Sequence, residues 1–156
     1  LYYYFPEGKD AIAEAAIQRA GRTTAERIRA GLAGSADAAE AVRRFVMTIA
    51  GAIERSDFCS GGPLTTIAME TATTNARLNA ACRGAYAELQ AAFEEKLAAS
   101  GFTAVRAQEL ATFVNAAIEG GIILCRTYHS GDPLRVVAAN LADLLRRSQP
   151  SGADRD

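Results

Sequence analysis

The stretch TAVRAQELATFVNAAIEGGIILCRTYHSGDPLRVVAANLADLL, residues 103–145, decides the fold class. Thr103 can cap a helix by accepting a hydrogen bond from the turn that follows it. That helix runs to about Tyr128, where Ser130-Gly131 breaks it. Asp132-Pro133 is a second start: a capping carboxylate, then a proline in the first turn, where a backbone N–H has no helical partner to lose. Beyond it, Leu134, Val137, Ala138, Leu141, Leu144 and Leu145 fall on one stripe at helical spacing.

The 103–128 helix carries more apolar surface than one core face needs. Phe102, Leu110, Phe113, Ala117 and Leu124 lie near one side, and Val114, Ile118, Gly121, Ile122 and Cys125 near another. A surface helix of a monomer shows one apolar stripe and a polar back. Gly120-Gly121 and, on the last helix, Ala138 would let a facing helix come close. Two terminal helices with spare apolar surface predict a homodimer built on a self-complementary four-helix interface, two helices from each subunit. Its expected residues are Val114, Ile118, Gly121, Ile122, Cys125, Leu134, Val137, Ala138, Leu141 and Leu145. An obligate interface of this kind buries upwards of roughly 2,000 Å². The alternative is a monomeric bundle that the same two helices simply close.

Upstream the same punctuation repeats. A long helix spans about Glu7 to Leu32, with Ala13, Ile17, Ala20, Thr24, Ile28 and Leu32 near a 3.6 period and a length of roughly 39 Å. Gly34 is its expected stop. Asp37 and Glu40 form a capping box ahead of a helix striped by Ala41, Val42, Phe45, Ile49 and Ile53, which ends near Arg55. Cys59-Ser60-Gly61-Gly62-Pro63 is the clearest break, and Pro63 opens a short helix with Leu64, Ile67 and Met69. Asn75 caps the next, striped by Leu78, Cys82, Tyr86, Leu89, Phe93 and Leu97 and closed at Ser100-Gly101. No strand alternation or internal repeat occurs. The expected fold is all-α, about six helices in one domain over residues 7–149, with a polar, disordered tail over 150–156.

Composition narrows the function. In 156 residues, 49% apolar content favours a packed core and a formal net charge of −1 gives no pull towards nucleic acid or an anionic membrane. No uninterrupted apolar run approaches the roughly 18 residues that span a bilayer, so no membrane role is expected. Cys59, Cys82 and Cys125 are odd in number and far apart, which points to a reducing compartment, the cytoplasm, rather than a disulfide framework. The opening LYYYFPEGKD has no signal-peptide pattern, lacks a start Met and begins in mid-pattern, which implies further chain upstream.

That opening, LYYYFPEGKDAI, resembles the junction after the recognition helix of TetR-type transcriptional regulators: an L-Y-x-H/Y-F segment, a short turn, a Lys and a long linking helix. The F-P-x-G-K form, and the C-x-x-x-P-L of Cys59 to Leu64, are similar to the LmrA/YxaF-like subgroup. The resemblance implies a TetR-like C-terminal domain whose two last helices form the dimeric bundle. It makes residues 1–6 the remnant of a helix-turn-helix DNA-binding domain. It further implies that Tyr2, Tyr4 and Lys9 touch DNA phosphates, contacts that position a protein without reading sequence, and that operator DNA is bound through the missing N-terminal part. Plain packing of a helix end also accounts for the tyrosines.

The resemblance also implies an effector cavity in the helical core, which makes the protein an effector-responsive repressor. Bulky residues on Ala-rich segments are its candidate walls: Phe45, Phe58, Met69, Tyr86, Phe93 and Phe113. Thr48, Asn75, Asn79, Tyr86 and Asn115 are candidate orienting groups in a mostly apolar pocket. Each aromatic also reads as ordinary filled core. An effector of loose specificity would suit Met47 and Met69, which repack readily. Against an enzyme, the chain has a single histidine, His129, at a helix end where it can cap carbonyls, and no metal-ligand or phosphate-loop spacing. Nothing in the sequence places Cys59 beside His129. No cofactor is expected. The rival reading is a helical dimeric interaction module without a ligand cavity.

Overall fold

The computed structural model describes residues 8–149. Six helices follow one another: α1 (Lys9–Leu32), α2 (Ala38–Arg55), α3 (Pro63–Thr71), α4 (Ala76–Ala99), α5 (Ala104–Tyr128) and α6 (Asp132–Ser148). No strand occurs among the described residues. Tyr2, Tyr4 and the expected segments 1–6 and 150–156 lie outside them.

Local chemistry sets most boundaries. Asp37 accepts from the Ala39 and Glu40 backbone N–H groups and starts α2, an arrangement worth about 0.5–2 kcal/mol. Glu40 does not close the expected capping box; its carboxylate is held by Arg43 in a two-point pair at 2.8 Å. Asn75 and Thr103 cap α4 and α5 by accepting from Leu78 and Arg106. Asp132 is not the cap of α6. Gly131 takes that place, Asp132 becomes the first helical residue, and its carboxylate accepts from Arg135 at 3.0 Å. At the end of α5 the cap comes from the His129 backbone rather than its ring: in a left-handed conformation its N–H donates to the Cys125 carbonyl.

The helices form a bundle in which α1 lies along α4, α2 along α6, and α5 between α4 and α6. The main core runs from Leu32 and Val42 through Phe93 and Val114 to Leu145. A smaller cluster, Ile17, Ala81, Cys82 and Ala85, sits where α1 meets α4, and Leu64, Ile67 and Ala68 of α3 close over it. Gly21 is the residue of closest approach there: a Cβ on it would stand 2.6 Å from that of Ala85. Ion pairs staple α1 to α4 at both ends, Glu14 to Arg77 at 2.6 Å and Arg29 to Glu95 at 2.8 Å. By length and composition α5, at 25 residues, would reach across a membrane, a reading that an uninterrupted-run count does not give. In this fold its Ala107, Leu110, Val114, Ile118 and Cys125 side are spent on the bundle core.

The expected division of α5 into two apolar sides needs a correction: Phe102 and Leu110, grouped with Phe113 and Leu124, are buried with the Val114 side, and only Phe113 and Leu124 of that group stay exposed. Val114, Ile118, Gly121 and Cys125, and on α6 Leu134, Ala138, Leu141 and Leu145, are buried within the single subunit. Gly121 receives Leu134, whose Cδ2 would stand 2.6 Å from a Cβ placed there. Within the single subunit these residues are covered, while Leu141 also borders the groove between α5 and α6. The physical reason is that α5 and α6 pack on each other and on α2 and α4, which consumes the stripe richest in branched residues. Ile122 and Val137 stay half-buried. The opposite side of α5 and the back of α6 remain open: Phe113 is 55% exposed, Val136 61% and Leu124 43%. Phe113, Ala117, Val136, Val137, Asn140 and Leu144 line an apolar groove between the two helices.

Candidate functional site

A second depression lies between the α2–α3 loop, α3 and the C-terminal half of α5. It is a cleft of about 580 Å³ whose walls include Phe58, Met69, Ile122 and Ile123, with Thr65, Glu119, Arg126 and His129 among its polar groups. That size suits a drug-sized ligand.

The loop that walls it departs from ordinary backbone. Asp57 and Phe58 have φ of 50° and 59°, and Gly61 and Gly62 follow at 107° and 74°. Left-handed conformation costs a side-chain-bearing residue roughly 1–2 kcal/mol, less for Asp, whose short side chain tolerates it. Among the described residues the non-glycine residues with positive φ are Asp57, Phe58 and His129, and all three line this cleft. The Phe58 and His129 rings meet at 5.2 Å, tilted by 60°. Strain of this kind persists where surrounding structure over-determines it, and it clusters at binding sites. The loop is also tied to α5: the Arg126 guanidinium donates to the Gly61 carbonyl at 2.9 Å.

A polar chain crosses the cleft wall. The Tyr86 and Thr65 hydroxyls are 3.1 Å apart, and Thr65 donates in a short bond to the Glu119 carboxylate. Burial first, and then the negative charge of Glu119, push the Tyr86 phenol above its ordinary range. α3 thus has two faces: Thr65, Thr66 and Met69 look into the cleft, while Leu64, Ile67 and Ala68 cover the α1–α4 cluster.

The expected wall residues scatter against this geometry. Phe58 and Met69 line the cleft, and Tyr86 reaches it through Thr65. Phe45 and Phe93 pack edge-to-face at 6.0 Å in the core, and Phe45 covers Gly31 of α1. Thr48 is exposed and donates to its own helix at the Arg44 carbonyl. Asn75 is committed twice, as the cap of α4 and as donor to Asp10 of α1 at 3.0 Å. Phe113 belongs to the α5–α6 groove. Asn79 and Asn115 are half-buried, and Lys9 is exposed at the start of α1.

Glu119, Thr65, Arg126 and Ile123 were not singled out by spacing as wall residues. The usable signal was Glu119, an acid inside the apolar run Ala116 to Leu124. Cys59 and His129, unrelated in sequence, line the same cleft; the Cys59 thiol donates to the Asp57 carbonyl, and the His129 ring packs on Phe58. Among the described residues no cluster of three or more His, Cys, Asp or Glu side chains could hold a metal ion.

An all-helical domain of this helix order, with a long α1 and two long terminal helices, matches a known family. Residues 38–140 fit the family described as "Transcriptional regulator LmrA/YxaF-like, C-terminal domain". The chain belongs to the LmrA/YxaF-like family of TetR-type transcriptional regulators. Its relatives include the HTH-type transcriptional regulator LmrA of Bacillus subtilis (strain 168), 34% identical over 147 residues, which cover 94% of this chain and 78% of that protein. The uncharacterized HTH-type transcriptional regulator YxaF of the same organism is 31% identical over 147 residues, 94% of this chain and 77% of that protein. Among the described residues, the cleft and the groove are two surfaces of this domain that invite a role.

Proposed function

We propose that the protein is a dimeric, effector-responsive transcriptional repressor that binds operator DNA. In this reading residues 7–149 are the effector-binding and dimerisation domain, and residues 1–6, with Lys9, end a helix-turn-helix segment that contacts DNA. The relatives' names as HTH-type regulators support the DNA-binding half. The effector site is the cleft beside the strained α2–α3 loop, and the dimer face is the groove between α5 and α6.

The observation that carries the reading is the position of α3. One face lines the cleft and the other covers Ile17 of α1. Asn75, four residues after α3 ends, holds Asp10 in the first turn of α1. A molecule wedged against Thr65, Thr66 and Met69 therefore displaces a helix that touches the connector. A ligand shifts the equilibrium only by as much as it prefers one arrangement.

The test is operator affinity of the helix-turn-helix-bearing regulator with and without saturating ligand, repeated with Thr66→Trp to fill the cleft. Ligand is expected to weaken operator binding by about 5- to 150-fold, and Thr66→Trp to abolish the ligand response. Unchanged operator affinity at ligand saturation refutes the mechanism.

A further inference from the structure

We propose that the cleft selects apolar ligands that carry a protonated amine, with Glu119 as the group that binds the ammonium. The inference rests on the reading of the cleft as the effector site.

Glu119 sits in the middle of α5, half-buried, between Ile118 and Gly120. Its carboxylate accepts from the Thr65 hydroxyl, and no cationic side chain pairs with it among the described residues. A carboxylate has about four lone-pair positions. Thr65 and the neighbouring Tyr86 phenol, which also interacts with the carboxylate, are neutral hydroxyls: they leave lone-pair positions open and the negative charge uncompensated. A ligand that fills the cleft displaces the water around it. If its head group brings no donor, a charge is left buried and uncompensated, which is strongly unfavourable. An ammonium brings three donors and the opposite charge, and such charge-assisted bonds are roughly twice as strong as neutral ones.

The rest of the cleft agrees. Its acidic and basic lining is Asp57 and Glu119 against Arg126, two carboxylates to one guanidinium. Arg126 lies seven residues beyond Glu119, about 10.5 Å along the helix, and its guanidinium is committed to the Gly61 carbonyl. It therefore flanks the loop end of the cleft and leaves the Glu119 end anionic. Phe58, Met69, Ile122 and Ile123 supply apolar wall for the body of the ligand. A carboxylate-bearing ligand of the same shape meets repulsion where the amine meets a partner.

Three fluorescent probes with one apolar body test this: 1-pyrenemethylamine, 1-pyrenemethanol and 1-pyrenecarboxylate. Titrated into the protein at pH 7, the amine is expected to bind about tenfold or more tighter than the alcohol, and the carboxylate most weakly. Glu119→Gln keeps the shape and the Thr65 contact; it is expected to weaken the amine about tenfold and move the alcohol by less than about twofold. Thr66→Trp is expected to weaken all three, and thermal melts confirm that both variants fold. Equal affinity for amine and alcohol, or a Glu119→Gln effect common to all probes, overturns the amine selectivity while the cleft stands, provided Thr66→Trp blocks binding. Probe binding that ignores Thr66→Trp, or no binding of any probe, overturns the cleft reading and the inference with it.

Discussion

Phe113→Ala tests the dimer face most directly. The ring is 55% exposed in the single subunit, and a phenylalanine of roughly 200 Å² then offers about 110 Å² to a partner. At about 25 cal/mol per Å² that area is worth about 2.8 kcal/mol. In a two-fold symmetric interface the residue counts twice, giving about 5–6 kcal/mol as the ceiling. Alanine retains its Cβ and a partner covers only part of the ring, so about half the ceiling, roughly 3 kcal/mol, is the expected loss. That is a weakening of dimer Kd by about 100-fold. Sedimentation equilibrium over a concentration series from nanomolar to 100 micromolar would read it. Met69→Ala is the matched control: Met69 is 74% exposed but sits on the cleft, away from the groove, and its removal should leave the dimer unchanged. A wild-type protein that stays monomeric throughout, or equal shifts in the two variants, refutes the reasoning.

Further predictions concern stability and access. Gly121→Val places a side chain where Leu134 already lies and should destabilise the fold by about 1–3 kcal/mol in urea denaturation, with Leu134→Ala in the same chain restoring part of the loss. The Arg29 guanidinium holds the Glu95 carboxyl below its usual range. The stability that this pair contributes is therefore present above the ordinary carboxylate pKa and lost as pH falls through the depressed value. Wild type and Glu95→Gln should differ at pH 7 and converge as pH falls below the depressed carboxyl value, the difference being small because both side chains are substantially exposed. Cys59 is exposed whereas Cys82 and Cys125 are buried, so a thiol reagent on the native protein should react quickly at one site, and Cys59→Ser should remove that fast phase.

How much of this was legible in the sequence follows from what each kind of signal encodes. Helix boundaries were readable because caps act locally: Asn75, Thr103 and Asp37 each bond to backbone within three residues. The 3.6 period also gave the excess of apolar surface on α5. It could not say which residues the subunit keeps, because that depends on where α2, α4 and α6 stand, and these are separations of tens of residues. Thus Val114 and Leu145 went inward while Phe113 and Val136 stayed out. The cleft was the least readable part. Bulk marks residues that need burial, so Phe45 and Phe93 found each other in the core. The cleft instead assembles from a loop in left-handed backbone, small hydroxyls on α3 and one acid on α5, none of which stands out by size or period.

The notch at Gly21 has a mechanical consequence for the connector. With Ala85 seated where a Cβ would be, 2.6 Å away, α1 meets its neighbour like a rod resting in a detent. Sliding it by one turn, about 5.4 Å, would bring Ile17 or Ala25 to that spot, and neither leaves the room that a bare α-carbon does. Axial travel is thereby disfavoured, and under the proposed effector mechanism a disturbance that starts at the cleft would reach Lys9 as a tilt about this detent. Since Lys9 lies twelve residues away, about 18 Å along the axis, each degree of tilt carries it about 0.3 Å.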